Sequence, residues 1–323
     1  MRKVLKILGI ALGVLLLGAA GLVAYLKLAL PDVGAPPPIN VERTPSRIAR
    51  GKYLANHVLV CIDCHSRRDW KLFSGPIIAG SEGEGGEVFD ETFGFPGRFV
   101  ARNITPFALA KWSDGELYRL ITTGVDKNGE PIFPVMPYGA YGKLDPEDVK
   151  ALIAYLRTLP SITKTHPPSK ALFPVNLIMR TFPRRAEPMK RPAPSDVLAS
   201  GRYLVTVAAC TECHTRAVKG KPIAGMEFAG GFEFPLPNGT VRSANITPDP
   251  TTGIGKWTKE QFVARFKSHP FVGKMVEKSP YQTVMPWTMY SGMTTGDLEA
   301  IFTYLRTRKP IENLVQTYTP KGR

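Results

Sequence analysis

The first pattern along the chain is an unbroken apolar run. From Ile7 to Leu26 twenty residues carry no charge, and Arg2, Lys3 and Lys6 stand before them. A helix of that length covers about 30 Å, the hydrocarbon thickness of a bilayer. Only Lys27 follows closely, and then Asp32. The positive-inside bias therefore places the amino terminus in the cytoplasm and everything after Leu30 outside. A cleaved signal peptide is the competing reading, but its apolar region is about 7–15 residues long and ends in a small-x-small site. The run here is longer, and Gly18–Gly21 is a weak site set inside it. Residues 1–30 are expected to be an uncleaved single-pass anchor. Residues 31–45, with Pro36, Pro37 and Pro38 in a row, read as a stiff extended tether.

Beyond the tether, apolar residues recur with helical period at two mirrored places. Val149, Leu152, Ile153 and Leu156 form an i, i+3, i+4, i+7 stripe, and Leu298, Ile301, Phe302 and Leu305 form another. Asp145 with Asp148, and Thr294 with Asp297, suit the first turn of each helix. Ser113 with Glu116, and Thr258 with Gln261, have capping-box spacing just behind Trp112 and Trp257. Helices around Ser46–Val60 and Asp196–Ala209 run into cysteine pairs, and a long glycine-rich irregular segment follows each pair, one with the turn Pro237-Asn238-Gly239-Thr240.

This is one domain written twice. Cys61-Ile62-Asp63-Cys64-His65 matches Cys210-Thr211-Glu212-Cys213-His214 at an offset of 149, as do Val135-Met136-Pro137 and Val284-Met285-Pro286. Gly51-Lys52-Tyr53-Leu54 matches Gly201-Arg202-Tyr203-Leu204 at 150, and Asn103-Ile104-Thr105-Pro106 matches Asn245-Ile246-Thr247-Pro248 at 142. Small loop insertions are expected to account for the differing offsets. The expected architecture is mostly α, with domains at 46–160 and 196–311, a proline-rich linker at 161–195 and a tail at 312–323. In the linker Lys164, Lys170, Arg180, Arg184, Arg185, Lys190 and Arg191 face one acid, Glu187. Its apolar stretch, Ala171–Met179, is expected to pack across a domain surface.

Composition adds little until the cysteines are considered. The chain has 323 residues, 43% hydrophobic and 21% charged, which is ordinary globular content for two domains. The formal charge of +15 reads either as a solvated basic surface or as docking onto an acidic redox partner or anionic headgroups. No nucleic-acid motif accompanies it. All four cysteines fall in the two C-x-x-C-H pentapeptides, the attachment pattern for covalent haem c. Cys61 and Cys64, and Cys210 and Cys213, would add to the haem vinyl groups, and His65 and His214 would ligate iron. A zinc site would need both pairs brought together and would leave the histidines unexplained. A thioredoxin-like pair needs a βαβ context that is missing here.

The second axial ligand comes from elsewhere. His57, His166 and His269 have no histidine counterparts in the other copy. Met136 and Met285 do match, each 71 residues after its haem histidine in a Met-Pro loop, with Met289 and Met293 close to the second. His/Met coordination leaves no open position and favours electron transfer, against the rival reading of a two-haem periplasmic peroxidase.

The sequence resembles the membrane-bound cytochrome c subunits of bacterial alcohol and gluconate dehydrogenases. The likeness runs from Ser46 onward and is most specific at Ser200–Leu204, Cys210–Thr215, Asn245–Trp257 and Met285-Pro286-Trp287, with Leu172–Asn176 also similar. It implies a class I cytochrome c fold in each copy, with Cys61, Cys64, His65, Met136, Cys210, Cys213, His214 and Met285 on the family's ligand positions. It also implies a dehydrogenase subunit as electron donor, and quinone, an oxidase or another cytochrome as acceptor. Such subunits usually carry three haem domains and this sequence carries two, so donor and acceptor stay open.

Overall fold

The computed structural model describes residues 1–218, 220–268 and 282–321. The apolar run lies within one long helix, α1 (Arg2–Leu28), that buries no residue against the rest of the chain. It is long and apolar enough to cross a membrane. Residues 31–44 are extended, as expected of a tether, but they lie along the first copy. Val41 is buried, and its N–H donates to Asp114 Oδ2 at 2.9 Å.

The first copy begins with α2 (Pro45–Tyr53), which Thr44 caps by accepting from the Arg47 N–H. Besides the one-turn helix Pro106–Leu109, its further helices are α3 (Cys61–Cys64), α4 (Asp114–Thr123), α5 (Tyr138–Tyr141) and α6 (Pro146–Leu156). After the short α7 (Val175–Ile178), the second copy repeats the scheme. Its helices are α8 (Val197–Val207), α9 (Cys210–Cys213), α10 (Lys259–Lys267), α11 (Trp287–Tyr290) and α12 (Thr295–Leu305). Both capping boxes form, Ser113 with Glu116 and Thr258 with Gln261. All eight stripe residues of α6 and α12 are buried in the core.

In each copy the first helix crosses the last at close range. A Cβ on Gly51 would come within 1.9 Å of the Ala151 carbonyl oxygen, and one on Gly201 within 1.9 Å of that of Ala300. Only glycine permits either approach, so the same crossing is built twice.

The one-residue change of offset between Gly51 and Cys61 does not fall in a loop. The chain leaves α2 as a π-turn, Leu54–Val58, where α8 continues as a regular helix. A wide turn is how a helix absorbs one extra residue. It brings His57 to the other copy, where its Nδ1 lies 2.9 Å from the Met289 carbonyl oxygen.

Short antiparallel strands complete each copy, and the sequence pattern did not announce them. β1 (Val88–Phe89) pairs with β2 (Gly97–Val100), and β2 with β3 (Lys170–Ala171) from the proline-rich stretch. In the second copy β4 (Glu233–Leu236), β5 (Gly239–Arg242) and β6 (Tyr318–Pro320) repeat this order. The apolar stretch 171–179 packs less than expected: Leu172, Phe173 and Ile178 are exposed, Phe173 at 79%.

The copies meet through a reciprocal exchange of tyrosines. The Tyr203 hydroxyl donates to Asp148 Oδ2 at 2.8 Å and accepts from the Asp145 N–H at 3.1 Å, at the start of α6. The Tyr53 hydroxyl donates to Asp297 and accepts from the Thr294 N–H at 3.0 Å, at the start of α12. Each copy thus supplies a cap to the other's last helix, the arrangement of an isologous interface inside one chain.

Candidate haem sites

Both C-x-x-C-H motifs are built in the same way. A left-handed residue, Val60 (φ 48°) or Ala209 (φ 56°), turns the chain into the one-turn helix that carries the cysteines. The histidine N–H then donates to the first cysteine's carbonyl, at 3.0 Å for His65 and 2.9 Å for His214. The His65 carbonyl accepts from the Gly85 N–H at 2.9 Å, and that of His214 from the Gly230 N–H at 2.8 Å. Each ring is then fixed from behind: His65 Nδ1 lies 2.6 Å from the Arg102 carbonyl oxygen, and His214 Nδ1 lies 2.8 Å from that of Ala244. Burial pushes both imidazolium pKa values down, so the rings are neutral near pH 7. A neutral ring donating from Nδ1 presents its Nε2 lone pair to a metal.

None of the four cysteines forms a disulfide. Burial pushes the pKa values of Cys61, Cys64 and Cys210 up to about 12, which disfavours thiolate ligation of a bare metal ion. Among the described residues no cluster of three or more His, Cys, Asp or Glu groups could hold a bare metal ion. The donor set suits a metal that arrives inside a covalently attached ring.

Met136 and Met285 each open a tight turn ahead of a short helix. The Tyr138 N–H donates to the Met136 carbonyl at 2.7 Å, and the Trp287 N–H to that of Met285 at 2.8 Å. Both methionines are half-buried, whereas Met289 and Met293 are buried in the core. His57 is engaged by the Met289 carbonyl, and His166 Nε2 lies 2.7 Å from the Glu84 carbonyl oxygen. His269 lies outside the described residues.

Three groups that sequence reasoning missed complete the sites. The carbonyls of Arg102 and Ala244 orient the histidines, and each directly precedes a matched Asn-Ile-Thr-Pro, which was the available signal. The third group is a clamp. Ser74 (φ 66°) donates its hydroxyl to the Met285 carbonyl at 2.7 Å and accepts the Trp287 N–H at 3.1 Å. Its own N–H donates to Gln282 Oε1 at 2.7 Å, while Gln282 Nε2 donates to the carbonyls of Trp70 and Leu72. The loop after the first cysteine pair therefore grips the methionine loop of the second copy.

Haem fits these sites on a separate count. Four buried side-chain polar atoms lack a partner among the described residues: Asp63 Oδ1, Arg119 Nε, Tyr138 Oη and Thr288 Oγ1. Asp63 stands between the cysteines of the first motif, and Tyr138 and Thr288 follow Met136 and Met285 by two and three residues. Unpaired buried polar groups are rare and costly, and three of these four lie within three residues of a site residue, which is where a further polar group would be accommodated.

No family model matches the chain. It is 28% identical over 310 residues to the fructose dehydrogenase cytochrome subunit of Gluconobacter japonicus, covering 90% of this chain and 59% of that protein. It is 25% identical over 291 residues to the cytochrome c subunit of the quinone alcohol dehydrogenase of Gluconacetobacter polyoxogenes, covering 84% and 58%. The chain is a relative of dehydrogenase cytochrome c subunits. A diheme cytochrome c-type protein of Cereibacter sphaeroides is 30% identical over 198 residues, covering 58% of this chain and 63% of that protein. The chain spans a little under three fifths of the length of the first two relatives, at 59% and 58%. At 90% and 84% of this chain, the first two matches are long enough to span both of its cysteine–histidine motifs.

Proposed function

We propose that this chain is a membrane-anchored two-haem c-type cytochrome with a class I cytochrome c domain in each copy. It passes electrons from a periplasmic or membrane dehydrogenase toward quinone, an oxidase or another cytochrome. Haem supplies the one-electron chemistry, and the protein holds and tunes it. Cys61 and Cys64, and Cys210 and Cys213, tie the two groups down. His65 and His214 would ligate the two irons through Nε2, with Met136 and Met285 as the second ligands, and His/Met ligation would raise the potential. α1 keeps the assembly at the inner membrane, with the haem domains on the periplasmic side.

The observation that carries this reading is the pair of histidines, each placed behind a one-turn Cys-x-x-Cys helix with Nδ1 on a backbone carbonyl. Against the peroxidase alternative stands the half-buried methionine loop in both copies. The test is haem content. Denatured protein on a gel is expected to keep haem-dependent peroxidase staining, and a pyridine haemochrome assay is expected to give two haems per chain. One haem per chain, or haem extracted by acid acetone, contradicts the proposal.

A further inference from the structure

The segment after β3 packs against the end of α1. Arg180 Nε donates to the Leu26 carbonyl at 3.1 Å, so the segment caps the carboxyl-terminal end of α1. Val23 and Leu26 are half-buried, unlike the fully exposed residues around them, so the covered face of α1 lies in its last two turns. With Ile7–Leu26 as the membrane span, Leu26 stands at the outer hydrocarbon boundary and Val23 only about 4.5 Å deeper. Whatever packs there sits at headgroup level.

The residues at that level carry the matching chemistry. Leu172, Phe173 and Ile178 are exposed at 46%, 79% and 44%, without a protein face to cover them. Arg184 and Arg185 lie a few residues on, both exposed. Arg184 donates to the Thr181 carbonyl at 2.8 Å, and Arg185 pairs with the exposed Asp32 at 3.0 Å, which leaves guanidinium donors of both facing solvent. Apolar side chains beside arginines, at the level where hydrocarbon meets phosphate, match an interfacial element. The segment is also fastened to the first copy. β3 pairs with β2, Arg180 makes two bonds to the Glu130 carboxylate at 2.8 and 3.0 Å, and the Phe182 ring meets Phe133 edge-on at 6.4 Å.

We propose that residues 172–182 form a second membrane contact. Leu172, Phe173 and Ile178 enter the outer leaflet of the phospholipid bilayer, and Arg184 and Arg185 meet its phosphates. The inference rests on α1 being a membrane span. Its consequence is that the first copy is held against the bilayer at two places and cannot swing freely on a tether.

The test uses the full-length holoprotein in vesicles of phosphatidylethanolamine and phosphatidylglycerol that contain a photoactivatable phospholipid. Labelled peptides are mapped by mass spectrometry. Labelling is expected on α1 and on 172–182. In the double variant Phe173→Asp, Ile178→Asp it is expected to fall about tenfold or more at 172–182 while α1 stays labelled, because a carboxylate is excluded from hydrocarbon. An unchanged haem spectrum checks that the variant has folded. Labelling confined to α1 overturns the second contact and leaves the span intact. Labelling on neither segment overturns both. Labelling at 172–182 that the double variant retains overturns the assignment of insertion to Phe173 and Ile178.

Discussion

In the first copy the loop behind the cysteine pair is drawn together by a buried ion pair. Arg68 lies 3.1 Å from Asp63, both side chains are about 4% exposed, and Arg68 also donates to the carbonyls of Gly75 and Ser74. That loop then reaches across to hold Gln282 and Met285. In the second copy the corresponding stretch forms a small hairpin, Ala217–Val218 with Lys221–Pro222, and Glu212, at the position of Asp63, is exposed. Among the described residues no equivalent clamp reaches Met136. The two sites share their cysteine–histidine geometry and differ in what holds the methionine loop. Duplication preserved the chemistry, and the contact between copies then made one site dependent on the other.

The largest expected effect comes from breaking the shared part. If both irons carry His/Met ligation, Met136→His removes about half of the weak far-red thioether–iron band and lowers one midpoint potential, because imidazole favours ferric iron more than a thioether does. Met285→His does the same at the other haem. A Met285→His spectrum identical to the parent would pass the role to Met289, Met293 or His269 and break the likeness of the copies.

The unshared part sharpens the comparison. Ser74→Ala deletes the hydroxyl bonded to the Met285 loop, a loss of about 1 kcal/mol per hydrogen bond, and also keeps a side chain in the left-handed conformation. It is expected to weaken the band from the second haem and leave that from the first unchanged. Gln282→Ala should do the same. Equal weakening at both haems would mean that the clamp does not discriminate between them.

Much of this organisation was legible because it is local. The apolar run, the two stripes, both capping boxes and the cysteine–histidine motifs are all patterns within about a dozen residues, and the structure forms them. The π-turn was not legible. A change of offset by one residue fixes an insertion but does not say that a helix will absorb it. The strands were hidden because they run only two to four residues, and β3 and β6 come from stretches far along the chain. The Ser74–Gln282 clamp joins positions 208 apart and leaves no period to detect. The packing expected of residues 171–179 failed at Leu172, Phe173 and Ile178, which are exposed, because apolar composition does not say which surface an apolar segment will meet.

Smaller effects fall on the tyrosine exchange. Tyr203 is 2% exposed and bonds a carboxylate that also meets Arg50 and Arg191, whereas Asp297, among the described residues, takes a cross-copy hydrogen bond from Tyr53 and has Arg50 only as a nearby charge. Tyr203→Phe is expected to cost about 2 kcal/mol and Tyr53→Phe about 1 kcal/mol in denaturant unfolding of the holoprotein. The reverse order would show that the half-buried bond holds the copies together.

The smallest effect is one of pH. Burial would raise the Asp148 pKa, but the Arg50 and Tyr203 hydrogen bonds and the Arg191 charge outweigh it and hold it below the ordinary carboxylate value of 3.8. A carboxylate depressed on folding contributes stability that is complete above the unfolded value and is lost as pH falls through the folded one. Acid titration below about pH 4 should therefore destabilise the parent more steeply than Asp148→Asn. Parallel titrations of the two would remove Asp148 from the acid response.

The central claim is that two like sites hold two haems, each between a histidine and a methionine. The oxidised, unmutated holoprotein tests it in one spectrum scaled to its haem content. Two haems per chain are expected, both low-spin, with the far-red thioether band at two-haem intensity and no rapid reaction with cyanide. A band at one-haem intensity, or a high-spin fraction that binds cyanide or peroxide quickly, would contradict it and return the peroxidase reading to consideration.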